Sequence, residues 1–330
     1  MKASALAHPN IALVKYWGKR DARLNLPVAG SLSLTLAGVE TRTTVTFDSS
    51  LTEDRVLLDG EECTRAPAGL RISAFLDLVA SESKIARNPA LVETHNSFPT
   101  AAGLASSASG FAALALASTK ALGLDRSREE LSILARQGSG SAARSLFGGF
   151  AEMKAGVLAD GTDAHAHGVA PEDHWDLRAL IALTAEGAKK IGSTKGMVHT
   201  QKTSPLFLPW ANTVDDDIKE AKAAIATRDF EKLTQVAERS CLRMHATAIG
   251  ADPGILYWNA TTVELIHALR EAREQEGLPL FFTIDAGPHV KVFTLANHEA
   301  TLRALLESQR GVLSVISAHP GPGAFLLPAP

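Results

Sequence analysis

The stretch Leu280-Phe281-Phe282-Thr283-Ile284-Asp285-Ala286-Gly287-Pro288-His289-Val290-Lys291-Val292-Phe293-Thr294-Leu295 separates two architectures. Leu280 to Ile284 and Val290 to Leu295 read as strands, with only the turn Asp285 to His289 between them. A doubly wound sheet alternates strands regularly with helices, whereas strands that cluster in this way belong to α+β lobes. The flanking sequence agrees. Leu177 to Thr184 is a continuous apolar run that reads as a buried strand. Helices follow at about Asp217 to Thr227, Asp229 to His245 and Thr262 to Glu276, the second with Phe230, Leu233, Val236 and Ala237 on one face. A helix from about Glu299 to Gln309 and a strand near Val312 to Ser317 close the pattern.

The first half mixes elements in the same manner. Val39 to Asp48 alternates strictly, with Val39, Thr41, Thr43, Val45 and Phe47 on one side, and predicts a half-buried strand. Arg55 to Leu58 and Glu61 to Thr64 flank Asp59-Gly60, a hairpin turn signal. Leu70 to Ala80 is helical, with Ile72, Phe75, Leu76 and Val79 at helical spacing. Ser127 and Glu130 form a capping box that opens a helix stopped by Gly138. Ala155 to Trp175 is polar, rich in Gly, Asp and His, and contains Pro171. It reads as the connection between two lobes, 1–175 and 176–330.

Composition bounds the function. At 330 residues the chain is long enough for two lobes, and 45% hydrophobic against 21% charged residues is ordinary for a globular protein. Lys+Arg 33 against Asp+Glu 36 lacks the basic surplus that phosphate backbones demand, so nucleic acid is not an expected partner. Cys63 and Cys241 cannot build a disulfide framework, and no Cys/His zinc spacing occurs. Met1 to Ile11 lacks the long apolar run of a signal peptide. Thr94 to Thr119 carries no charge, but its Pro, Gly and Ser content is too high for a bilayer helix of roughly 20 apolar residues. A soluble, cytoplasmic protein that avoids membranes is expected.

Two glycine fingerprints fail on context. Gly138 to Ala143 matches G-x-G-x-x-A, but a charged helix precedes it rather than a strand. Gly187 to Gly192 has P-loop spacing, with Ser193 where the lysine belongs. More informative is Phe98-Pro99-Thr100-Ala101-Ala102-Gly103-Leu104-Ala105-Ser106-Ser107-Ala108, a loop that enters a helix rich in small residues, Ala108 to Leu122. Its backbone N–H groups and the helix dipole suit polyphosphate, and Ser hydroxyls can hold Mg²⁺ or phosphate oxygens. A plain loop into a buried helix is an equal reading on composition alone. Gly138 to Gly149 is a second such loop, in which Ser139, Gly140, Ser141 and Arg144 match a carboxylate or phosphate. Lys15-Tyr16-Trp17-Gly18-Lys19-Arg20 sets cations beside aromatics; by itself it reads as a solvated strand end. Asp285 sits at a strand end and is either catalytic or an Asx turn former. His165, His167 and His174 fall in the polar connection and read as solvated, and both cysteines default to buried apolar roles.

Together these segments resemble the diphosphomevalonate decarboxylases of the GHMP kinase superfamily. The resemblance is carried, in family order, by Asn10 to Lys19, Phe98 to Ala108, Arg136 to Leu146, Gly192 to Met197, Met244 to Thr247 and Thr283 to Pro288, and covers nearly the whole chain. It implies a two-lobed GHMP kinase fold, with an N-terminal lobe like domain 2 of ribosomal protein S5 and a ferredoxin-like C-terminal lobe. It implies ATP and Mg²⁺ as cofactors, 5-diphosphomevalonate as the small-molecule substrate, and a homodimer. By the same resemblance Tyr16, Trp17, Gly18, Lys19, Arg71, Ser139, Gly140, Ser141, Ala142, Ala143, Arg144, Ser193 and Thr194 hold the substrate. Asn96, Pro99, Ala101, Gly103, Leu104, Ala105, Ser106 and Ser107 surround the ATP phosphates, with Ser107 on the metal, and Asp285 and Arg144 are catalytic. The chain departs from the family at Val28-Ala29-Gly30, where Asn or Ser usually precedes Ser-Leu-Ser, and at Ala143, where Cys is frequent. A decarboxylase of another phosphorylated mevalonate and a GHMP small-molecule kinase stay open as alternatives.

Overall fold

The alternating strand Thr41–Phe47 lies inside a sheet, with Thr41, Thr43, Val45 and Phe47 buried. The structure, a computed structural model, describes residues 1–98, 106–187 and 190–328. Among these the first sheet runs Phe325–Leu326, Lys2–Ala7, Thr41–Phe47, Ala90–Asn96, Arg55–Leu58, Glu61–Glu62. All neighbours are antiparallel except Arg55–Leu58 beside Ala90–Asn96. Asp59 and Gly60 both have positive φ, 52° and 88°, the backbone a two-residue hairpin requires. Helix Ser106–Ala121 packs on this sheet, its alanines meeting Ala5, Val45 and Val92 in one core.

The second sheet joins the two halves of the chain. Its order is Ala166–Ala170, Phe150–Met153, Ser31–Ala37, Ser314–Pro320, Leu177–Leu183, Val290–Leu295, Leu280–Ile284, with Asn10–Val14 also paired to Ser31–Ala37. The expected clustering of antiparallel strands is therefore present. Helix Phe230–Ile249 covers the far strands, where Phe281 stacks on Phe293 at 4.9 Å and meets Phe230 at 5.5 Å. Each buried phenylalanine of this kind contributes about 1.5–3 kcal/mol through lost water contact. His319 and Pro320 pair with Ala37 and Leu36, so the end of the chain returns to the first half.

Several expectations are corrected. Ala155 to Trp175 is not a free connection: Ala166–Ala170 within it is a strand paired to Phe150–Met153. Its histidines are not simply solvated either. His167 lies 3.4 Å from Glu152, and His174 Nε2 meets the Ile225 carbonyl at 2.7 Å. The capping box at Ser127 and Glu130 opens the helix Arg128–Gly138 as expected. Helix Ser193–Thr203 escaped periodicity because it buries only Gly196, Met197 and Thr200.

Candidate active site

The strand Asn10–Val14 is buried throughout and delivers Lys15 to the interior. Lys15 is only 2% exposed, and its Nζ donates to Asp285 Oδ1 at 2.7 Å. The solvated reading of Lys15 to Arg20 is therefore wrong for its first residues. Lys291, 1% exposed, reaches Asp285 Oδ2 at 3.5 Å, while Asp285 itself is 31% exposed. Two buried ammoniums share one half-open carboxylate, which supplies the counter-charge their burial demands. The strand end before it is pinned on both sides. The Ile284 amide donates to Cys241 Sγ at 3.1 Å, and its carbonyl meets His245 Nε2 at 3.1 Å. Burial pulls the His245 imidazole down to about 3, so it is neutral and its Nε2–H is the donor.

A second buried charge lies within electrostatic reach of Asp285. Arg144 is buried, its Nε donating to Ser33 Oγ at 2.9 Å, Nη1 to Ser31 Oγ at 2.6 Å and Nη2 to Asn10 Oδ1 at 3.1 Å. Among the described residues these contacts leave one hydrogen on each Nη, the fork that matches a carboxylate. Burial pulls this guanidinium down to about 10, and the Asp285 charge partly opposes that. The Tyr16 ring lies 5.9 Å from it, with a buried hydroxyl that has no partner among the described residues. Gly140 is required where that hydroxyl passes, since a Cβ there would stand 2.3 Å from Tyr16 Oη.

The remaining candidates gather around the 138–141 loop. Arg71 donates to the Gly138 carbonyl at 3.0 Å. Lys19 Nζ meets Thr194 Oγ1 at 3.2 Å, so the start of helix Ser193–Thr203 closes the same side. The hydroxyls of Ser107, Ser139 and Ser141 form a chain, at 3.2 and 3.3 Å. The N-terminus of helix Ser106–Ala121 thus touches the 138–141 loop directly. Asn96 is buried at the end of strand Ala90–Asn96 and accepts from Thr41 Oγ1 at 2.7 Å. Pro99, Ala101, Gly103, Leu104 and Ala105 lie outside the described residues. Trp17, Ala142 and Ala143 bury their side chains in the core. The Trp17 ring stands edge-on to Tyr257 at 6.0 Å.

Sequence reasoning missed Lys15 and Lys291 as partners of Asp285, and Asn10, Ser31 and Ser33 as supports of Arg144. A signal existed for Lys291: a lysine inside the apolar strand Val290–Leu295 must find a counter-charge.

Fold and site together define a two-lobed α+β protein of the GHMP kinase class. Comparison with known proteins narrows this. Residues 7–166 match the diphosphomevalonate decarboxylase-like N-terminal domain, and 179–317 the mevalonate 5-diphosphate decarboxylase C-terminal domain. Diphosphomevalonate decarboxylase of Ganoderma lucidum is 40% identical over 317 residues, 90% of this chain and 79% of that protein. Mevalonate diphosphate decarboxylase from Staphylococcus aureus superposes with a TM-score of 0.92 at 39% identity, over 99% of this chain and 98% of that one. A structure of MDDEF in complex with MVAPP, AMPPCP and magnesium gives 0.91 at 41% identity, over 99% of each chain. The chain belongs to the diphosphomevalonate decarboxylase family. Among the described residues no helix is long and apolar enough to cross a membrane.

Proposed function

We propose that this chain catalyses the ATP-dependent decarboxylation of (R)-5-diphosphomevalonate to isopentenyl diphosphate, ADP, phosphate and CO₂. The observation that carries the reading is the half-exposed Asp285 carboxylate held by Lys15 and Lys291, close enough to Arg144 to bear on its charge. Family membership and the MDDEF structure with MVAPP, AMPPCP and magnesium support the substrate and the nucleotide.

A tertiary hydroxyl is a hindered nucleophile and a poor leaving group. Bound with Mg²⁺, ATP supplies the phosphoryl group that turns it into a good one. Asp285 orients the 3-hydroxyl and accepts its proton as the phosphoryl group arrives; once its half-exposed carboxyl has passed that proton to solvent, the restored carboxylate stabilises the positive charge that develops at C3. The Arg144 fork holds the substrate carboxylate anti to the departing phosphate, so that C–C cleavage quenches the cation. Tyr16, Lys19, Arg71, Ser139, Gly140, Ser141, Ser193 and Thr194 hold the diphosphate. The described residues contain no cluster of three or more His, Cys, Asp or Glu that could bind a metal. Mg²⁺ commonly takes few protein oxygens and uses substrate phosphates for the rest, and the Ser107 hydroxyl at the helix start fits that role. The lobe 1–175 would hold ATP and 176–330 would carry Asp285, in keeping with the extents of the two domain matches. The proposed assembly is a cytoplasmic homodimer, a reading that rests on family resemblance.

Mevalonate, its 5-phosphate and its 5-diphosphate, each supplied with ATP and Mg²⁺, test the reading. Only the diphosphate should yield both ADP and CO₂ at high rate; ADP alone marks a small-molecule kinase, and turnover of the 5-phosphate marks a different decarboxylase. Ser107→Ala should impair ATP-dependent turnover more than diphosphomevalonate binding. Calorimetry that finds normal nucleotide affinity and lost substrate binding reverses the two loops. Burial, with Arg71 adding to it, pulls Lys19 down to about 8. Its cation is present below that pH and lost above it, so kcat/KM should fall as pH rises through about 8. A flat profile on the alkaline side removes Lys19 from diphosphate binding.

A further inference from the structure

Lys19 opens the short strand Lys19–Asp21, which pairs with Leu26–Pro27 through a tight loop. Asn25 in that loop is half-buried and has φ 53°, a left-handed backbone that asparagine tolerates better than most residues. Its side chain turns back over its own hairpin. Asn25 Oδ1 accepts from Lys19 Nζ at 2.6 Å, and Asn25 Nδ2 donates to the Gln137 carbonyl at 2.7 Å. The two partners fix the amide's direction, because an ammonium needs an acceptor and a carbonyl needs a donor. The loop is held to the same helix end a second time, by Arg136 Nε on the Leu24 carbonyl at 3.1 Å. Gln137 directly precedes Gly138, where the 138–141 loop begins.

We propose that Asn25 is a positioning residue for Lys19, tying its ammonium to the main chain that carries Ser139 to Ser141. Lys19 has four flexible methylenes, and its other side-chain contact, Thr194 Oγ1 at 3.2 Å, is longer. Without Asn25 the ammonium would sample solvent rather than stay beside the loop hydroxyls. With it, the lysine and the loop move as one unit, and the site meets a phosphate with the cation already in place. The lowered affinity of this half-buried lysine for its proton makes a good acceptor at Asn25 more valuable still. The inference rests on the assignment of Lys19 to the substrate's diphosphate.

Asn25→Gly tests it, since glycine accepts the left-handed backbone and removes only the amide. KM for 5-diphosphomevalonate should rise on the order of tenfold, with kcat changed far less. Lys19→Gln and the double variant complete a cycle. If Asn25 acts through Lys19, Asn25→Gly adds little in the Lys19→Gln background. Equal effects of Asn25→Gly in both backgrounds, or a wild-type KM in the single variant, overturn the proposal while leaving Lys19 assigned. A wild-type KM in Lys19→Gln overturns the Lys19 assignment and the proposal with it. Asn25→Asp guards against misfolding of the glycine variant: it keeps the acceptor for Lys19 but presents a second acceptor to the Gln137 carbonyl. It should raise KM partly by neutralising Lys19, and an unchanged KM there also contradicts the proposal.

Discussion

Asp285→Asn lowers kcat by roughly 10²–10⁴-fold, the usual scale for loss of a general base, and loss of charge stabilisation deepens it. The Gly287 amide bonds to the Asp285 main-chain carbonyl at 2.7 Å, so the turn does not depend on the side chain's charge. Asparagine keeps the shape and one acceptor for Lys15, and a mere turn former would tolerate it. What it loses is the negative charge. It can neither take the hydroxyl proton nor face the cation at C3. Substrate affinity should change little, because the proposed diphosphate contacts are the 138–141 loop and Lys19. The melting temperature should drop, since Lys15 and Lys291 stay buried without their counter-charge. A folded variant whose turnover stays within a few-fold of wild type would falsify the catalytic role.

Arg144→Gln is expected to cost about 2–4 kcal/mol in kcat/KM, with both constants affected. Glutamine can satisfy one of Asn10, Ser31 and Ser33, but it cannot offer a charged fork beyond them. A substrate carboxylate that is no longer aligned should weaken binding and slow loss of CO₂ together. The ratio of CO₂ to ADP is the sharper readout, because misalignment harms the second step more than phosphoryl transfer. Kinetics like those of wild type in a folded Arg144→Gln protein exclude the arginine from the site.

Elements set by local pattern are legible in the sequence, and long-range pairings are not. The strands flanking Asp285, the helix Arg128–Gly138 with its capping box and the hairpin at Asp59-Gly60 are all set by neighbouring residues, so periodicity and turn chemistry expose them. The grouping of Ser139, Gly140, Ser141 and Arg144 was legible for the same reason, since they lie within about one helical turn. Lys15 and Asp285 are 270 positions apart, and Asn10 and Arg144 are 134 apart. No window of sequence contains either pair. The Ala155 to Trp175 segment misled because its strand is an edge, Ala166–Ala170, whose half-exposed residues look like a connector.

Coupling of phosphoryl transfer to loss of the carboxylate is what separates the proposed reaction from that of a simple kinase. Following ADP and CO₂ in the same reaction, with 5-diphosphomevalonate, ATP and Mg²⁺ and wild-type protein, tests it most directly. One CO₂ should form for each ADP throughout the time course, with isopentenyl diphosphate as the organic product. ADP that accumulates without CO₂, leaving a phosphorylated acid, would contradict it.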